Sequence, residues 1–240
     1  MILNVKDLRE RKKRIDQKIV IIQSSSLNEE SFEAVKELID QSVEIEMQLD
    51  TERRKAKRMI EESNLGRRFQ ERTFENFDNG HFTKAYQSVR RFAEEFPSNK
   101  GESLLLVGNP GTGKTHLAAA ATNYIVKEHG IPVKFGNFLE LLENMKKSFG
   151  SAEDVGKELI EVPLLVIDDL GKERQSEWSL SVLYRVINGR YEKYAPVIIT
   201  TNETLSSLRN NVGEATFSRL IEMCEGITMN GQDYRKRKLR

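Results

Sequence analysis

The 240-residue chain is predicted to be an α/β protein, a parallel sheet with helices on both faces, preceded by a helical N-terminal region. Three observations predict it. From residue 104 onward, short apolar runs alternate with segments of helical periodicity. The runs are nearly continuous, as in strands buried on both faces. Residues 1–66 are rich in charge and, Phe32 apart, contain neither aromatic residues nor proline.

In that first region Leu8, Ile15, Ile19 and Ile22 recur at helical spacing, as do Val35, Leu38, Ile39, Ile45 and Leu49. Ser24, Ser25, Ser26, Leu27 and Asn28 lie between the two sets, a turn with cap residues before Glu29 and Glu30. Two or more amphipathic helices follow. Helices without a large core need each other or a partner, so residues 1–66 are expected to dock a protein. The plain alternative is a solvated helical arm. The rest, residues 67–240, is expected to form one domain. Its strands are placed at 104–107, 133–135, 164–167 and 197–200, and its helices at 116–129, 138–149 and 178–191. Gly130 is suited to end the first of these helices. Trp178 and Tyr191 are expected in the core.

Composition narrows the function. Lys and Arg total 38 against 37 Asp and Glu, so any nucleic-acid contact must come from a local patch. The longest apolar runs, 19–22 and 104–107, are far too short to span a bilayer. The N-terminus alternates charged with apolar residues, unlike a signal peptide. Cys224 is the one cysteine, which excludes an internal disulfide and a thiolate zinc site. A soluble protein of a reducing cytoplasm is expected.

The chemistry begins after residue 107. Gly108, Asn109, Pro110, Gly111, Thr112, Gly113, Lys114 and Thr115 form a complete G-x-x-x-x-G-K-[ST]. Glycines let the backbone curl so that successive N–H groups face phosphate oxygens; Lys114 adds a charge at the β- and γ-phosphates and Thr115 a hydroxyl for Mg²⁺. The helix that follows presents its positive end. ATP and Mg²⁺ are the cofactors this implies. The run 164–167 ends in Asp168 and Asp169, at the edge of the sheet where ligands bind. Asp168 is expected to hold the metal and Asp169 to polarise the attacking water. Asn202 closes the run 197–200 in the same way and can sense the water or the γ-phosphate.

These motifs resemble the AAA+ ATPases, and within them the DnaC/DnaI/IstB group of helicase loaders and transposition helpers. Further matches are Arg72, Thr73, Phe74, Glu75, Asn76 and Phe77 ahead of the loop, residues 165–171, and Arg190, Tyr191 and Glu192 before 196–202. Ser218, Arg219 and Leu220, then Asp233, Tyr234 and Arg235, complete a series in the expected order. The resemblance implies a P-loop NTPase, a three-layer sandwich with a mostly parallel five-stranded sheet and a reduced C-terminal lid. Only 38 residues follow Asn202, too few for a four-helix lid. By the same resemblance residues 108–115 are Walker A, Asp168 and Asp169 Walker B, and Asn202 sensor 1. Arg219 resembles an arginine finger acting on a neighbouring subunit of a homo-oligomer, and Arg235 the sensor 2 arginine, with Arg237 as its competitor. Many AAA+ proteins carry Glu where Asp169 stands, which implies slow turnover.

Three readings stand, the first two implied by the group's known members and the third from another class. The first is a helicase loader whose residues 1–66 grip a replicative DnaB-type helicase, with the ATPase domains on single-stranded DNA. Phe138, Lys146 and Lys147 are candidate DNA contacts, because they combine positive charge with an aromatic ring; Phe138 can equally pack its helix on the sheet. The second is an IstB-like helper ATPase on duplex DNA. The third, a P-loop small-molecule kinase, leaves the finger and sensor residues unused.

Overall fold

The computed structural model describes residues 5–24, 29–78, 80–149, 152–172 and 176–234, with backbone alone at 145–149 and 152–155. They fall into two compact units, Met1–Arg58 with Lys127–Gly130, and Met59–Val126 with Ile131–Arg240.

In the first unit, α1 (Val5–Gln23) and the start of α2 (Glu29–Glu62) meet through Val5, Leu8, Ile15, Ile45 and Leu49, with Ile19 and Leu38 at the margin. Val5 apart, these are positions of the helical periodicity, so the apolar stripes do face one another. Ser42 donates to Asp16 at 2.8 Å beside this core. The Ser42 hydroxyl and then Lys12 hold the Asp16 carboxyl below its ordinary value. Among the described residues no helix is long and apolar enough to cross a membrane.

The second unit opens with a short helix, α3 (Arg67–Gln70), and α4 (Thr83–Glu94), then runs β1 (Ser103–Val107), α5 (Lys114–His129), β2 (Val133–Gly136), α6 (Phe138–Phe149), α7 (Ala152–Glu161), β3 (Leu164–Ile167), α8 (Glu177–Glu192), β4 (Val197–Thr201), α9 (Leu205–Val212), α10 (Glu214–Met223) and β5 (Cys224–Thr228). The sheet order is β2-β3-β4-β1-β5, and every pair is parallel. Leu105, Leu165, Ile167, Val197 and Ile199 face a core shared with α6, α7, α8, α9 and α10. Alternation turns Leu104, Leu106, Leu164, Val166 and Ile198 to the opposite face. They too are buried, so a second helical layer covers that side. The outcome is the expected α/β sandwich.

Two devices protect the sheet. The free edge of β2 is closed where Phe135 N donates to Ser63 O at 2.8 Å. Arg190, on α8 and fully buried, donates through Nη1 to Leu159 O, Ile160 O and Val162 O at 2.7, 3.1 and 2.9 Å. Its Nη2 donates to Pro196 O at 2.7 Å and Pro163 O at 3.3 Å. One guanidinium thus satisfies the last carbonyls of α7, which a helix end leaves without partners, and ties the entries of β3 and β4 together.

Three expectations need correction. Phe138 is only 2% exposed, in the core with Leu141 and Leu142, so its ring cannot stack on DNA. Trp178 is 39% exposed, in the first turn of α8 rather than in the core. Tyr191, near the end of the same helix, is half-buried and bonds Glu222 instead.

Candidate functional site

The glycine loop joins the carboxyl end of β1 to the start of α5. Gly108 has φ +151°, and a Cβ there would collide with the backbone carbonyl of Met229; no side chain fits. Gly113 has φ +99°, and a Cβ would stand 2.6 Å from the Phe77 ring. The segment ahead of β1 therefore backs the loop. Phe77 meets His116 edge-on at 5.2 Å, and His116 Nε2 lies 3.0 Å from Thr73 O. Burial lowers the His116 pKa, which favours a neutral ring hydrogen-bonded to that carbonyl. The chain leaving β5 runs along the loop: Met229 N donates to Val107 O at 2.7 Å, Asn109 Nδ2 to Gly231 O at 3.3 Å and Tyr234 N to Gly111 O at 3.0 Å.

Lys114 is 4% exposed, its charge held by acceptors. Nζ donates to Gly108 O and Asn109 O at 2.8 Å and to Asn202 Oδ1 at 2.7 Å. Asn202 Nδ2 donates to Asp169 Oδ1 at 2.8 Å. An ammonium only donates and a carboxylate only accepts, so the amide of Asn202 has one possible orientation between them. Lys114, Asn202 and Asp169 are thus linked in a row.

Asp168 ends β3 beside them. Its Oδ1 accepts from Thr115 Oγ1 at 2.8 Å and from Thr200 Oγ1 at 2.6 Å. Burial raises its pKa, and these two hydroxyls oppose the rise. Asp169 is turned by a left-handed backbone, φ +54°, where its N–H donates to Thr200 Oγ1 at 2.9 Å. Such a conformation is uncommon for a residue other than glycine and gathers at functional sites. Thr200, to which sequence reasoning gave no role, bonds the carboxylate of Asp168 and the backbone of Asp169. Its one signal was a hydroxyl two residues before Asn202 at a strand end. The pair Thr115 Oγ1 and Asp168 Oδ1 is a set of hard oxygen donors that fits Mg²⁺, which takes one or two carboxylates and completes its shell from phosphate and water.

Residues 108–115, Asp168, Asp169 and Asn202 are therefore brought together at the carboxyl ends of β1, β3 and β4. Arg219 is not. Its Nε donates to Asn188 Oδ1 at 2.7 Å and its Nη1 to Ala215 O at 2.9 Å, on α8 and on its own helix α10. Arg235 lies outside the described residues, as do the side chains of Lys146 and Lys147, whose backbone belongs to α6.

A parallel sheet in this strand order, with a glycine loop on β1 and an acidic pair two strands away on β3, defines a P-loop protein of the AAA+ type. Its relatives narrow that class. The chain belongs to the family described as IstB-like ATP binding protein, whose model matches residues 16–240. It is 30% identical over 183 residues to the phage-like element PBSX protein XkdC of Bacillus subtilis (strain 168), covering 71% of this chain and 68% of that protein. It is 28% identical over 173 residues to the replicative helicase loader DnaC of Buchnera aphidicola subsp. Schizaphis graminum, covering 69% and 70%. A crystal structure of the DnaC helicase loader matches with a TM-score of 0.61 at 30% identity, over 68% of this chain and 99% of that one.

Proposed function

We propose that this chain is a cytoplasmic ATPase that loads a replicative helicase during DNA replication. The reading is carried by one observation: Lys114 and Thr115 at the start of α5 converge with Asp168, Asp169 and Asn202 from the ends of two strands within hydrogen-bond reach. In it the loop amides and Lys114 bind the triphosphate of ATP, and Thr115 and Asp168 would hold Mg²⁺. The metal supplies charge neutralisation at the phosphates. Asp169 accepts a proton from the attacking water. Asn202, bonded to both Lys114 and Asp169, orients that water against the γ-phosphate. Arg219 acts on the nucleotide of a neighbouring copy, and Arg235 acts as the second sensor. Turnover is slow until the oligomer or DNA completes the site.

Residues 1–66 serve as the helicase-binding region, and residues 67–240 as the ATPase. Lys146 and Lys147 on α6 remain the candidates for single-stranded DNA; Phe138 is withdrawn. The likeness to the DnaC loaders supports this reading. Membership of the family described as IstB-like ATP binding protein keeps a second reading, the IstB-like helper on duplex DNA. Size-exclusion chromatography of the full chain with its host's replicative helicase in Mg-ATP separates them. The loader reading expects one co-eluting complex and turnover stimulated by single-stranded DNA. No complex, with stimulation by duplex DNA only, supports the second.

A further inference from the structure

Arg219 is gripped on several sides. Tyr184, Asn188 and Tyr191 stand at i, i+4 and i+7 on α8, which is one face of a helix. The guanidinium carbon lies 5.2 Å from the Tyr184 ring centre and 5.8 Å from that of Tyr191, within cation–π range. Asn188 is itself oriented from behind. Its Nδ2 donates to Glu192 Oε1 at 2.8 Å, so Oδ1 must be the atom that faces Arg219 Nε. Tyr191 is fixed in turn, its hydroxyl donating to Glu222 Oε1 at 2.6 Å across to α10.

The partners are also neutral. Glu192 and Glu222, the nearby carboxylates, bond to Asn188 and Tyr191. Among the described residues Arg219 makes no ion pair. Its Nε and Nη1 are tied, and Nη2 carries neither of these bonds. A long cation is thus ordered without losing its charge to a carboxylate. That combination suits a group meant to meet an anion, because electrostatic stabilisation is worth most when the charge is in place before the reaction.

We infer that Asn188, Tyr184 and Tyr191 are positioning residues that pre-set Arg219 for the phosphates held by a second copy of this chain. The inference rests on Arg219 acting in trans, as proposed above. It is tested with full-length chains that complement each other. An Arg219→Ala subunit keeps its own site and lacks the cation; an Asp169→Asn subunit binds ATP without turning it over and supplies an intact Arg219. Mixing the two is expected to restore turnover at their junctions. Donors carrying Asp169→Asn with Asn188→Ala are expected to restore about tenfold less, since an ångström of misplacement costs up to a hundredfold, with KM for ATP unchanged. Asn188→Asp keeps the acceptor oxygen but pairs Arg219 with a carboxylate and cannot donate to Glu192, so it is expected to restore less than the unaltered donor. Tyr184, 40% exposed, gives a second donor variant, Tyr184→Leu, that leaves the core intact should Asn188→Ala not fold. Equal recovery from altered and unaltered donors overturns the inference. No recovery from any donor overturns the trans reading instead.

Discussion

Replacing Arg190 with methionine keeps most of the volume and none of the donors. Four of the Arg190 bonds, to Leu159, Ile160, Val162 and Pro196, are 3.1 Å or shorter. Nη1 has two hydrogens for three of these carbonyls, so they amount to about three full bonds; at about 2 kcal/mol for each bond from a charged donor, their loss costs about 6 kcal/mol. Something is returned. Burial pushes the guanidinium pKa down to about 10, and removing that buried charge relieves about 3 kcal/mol. The net loss is about 3 kcal/mol, a fifth or more of what holds an ordinary domain together. Arg190→Lys keeps the charge on one nitrogen with three donors, and is expected to fall between methionine and the parent. Urea unfolding followed by Trp178 fluorescence measures this, because Trp178 is the chain's one tryptophan and sits on the same helix. A methionine variant within about 1 kcal/mol of the parent would refute the reasoning, since it would mean that water or relaxation satisfies those carbonyls.

Two further outcomes follow from the site. Asp168→Asn retains an Oδ1 that both Thr115 and Thr200 can bond, and removes a charge whose pKa is raised by burial. A raised carboxylate disfavours the folded chain above its pKa, so the nucleotide-free variant should melt higher than the parent near pH 8. The gain should shrink as the pH falls below the raised pKa and vanish below the ordinary carboxyl range, as the parent's own carboxyl takes up its proton; Mg²⁺-dependent ATP binding should be lost at every pH. A melting temperature below the parent's near pH 8 would contradict this. Gly108→Ala drives a methyl into the Met229 carbonyl at a φ that alanine rarely adopts; thermal melts should drop by several degrees, of the order that 1–3 kcal/mol of strain produces, and nucleotide binding should weaken. An unchanged melt would mean that the loop is free to move away from the 229–234 segment.

Much of this molecule could be read from the sequence, for physical reasons. β1, β3 and β4 are buried on both faces, so each appears as a continuous apolar run, and each run ends in the polar residues of the site. β5 could not be found that way. As an edge strand it has one neighbour, β1, and buries only Ile227, so Cys224–Thr228 carries no apolar run. Phe138 and Trp178 show the limit on aromatics: their spacing is helical in either case, and only the packing of α6 and α8 decides which side faces the sheet. The row Lys114, Asn202 and Asp169 was legible as three motifs but not as a bonded chain, since the first two lie 88 positions apart. Thr200 and Asn188 escaped for a related reason. Each serves another side chain through one well-aimed oxygen, and the sequence has no pattern for that beyond the face that Tyr184, Asn188 and Tyr191 share.

The central claim, that one magnesium nucleotide is held between the glycine loop and the ends of β3 and β4, is tested most directly by titration calorimetry of the full chain with Mg-ATP. The account predicts one saturable site per chain, displaced by ADP and abolished by Lys114→Ala with the circular dichroism unchanged. A folded parent chain that releases no heat, or a Lys114→Ala variant that binds as the parent does, would contradict it.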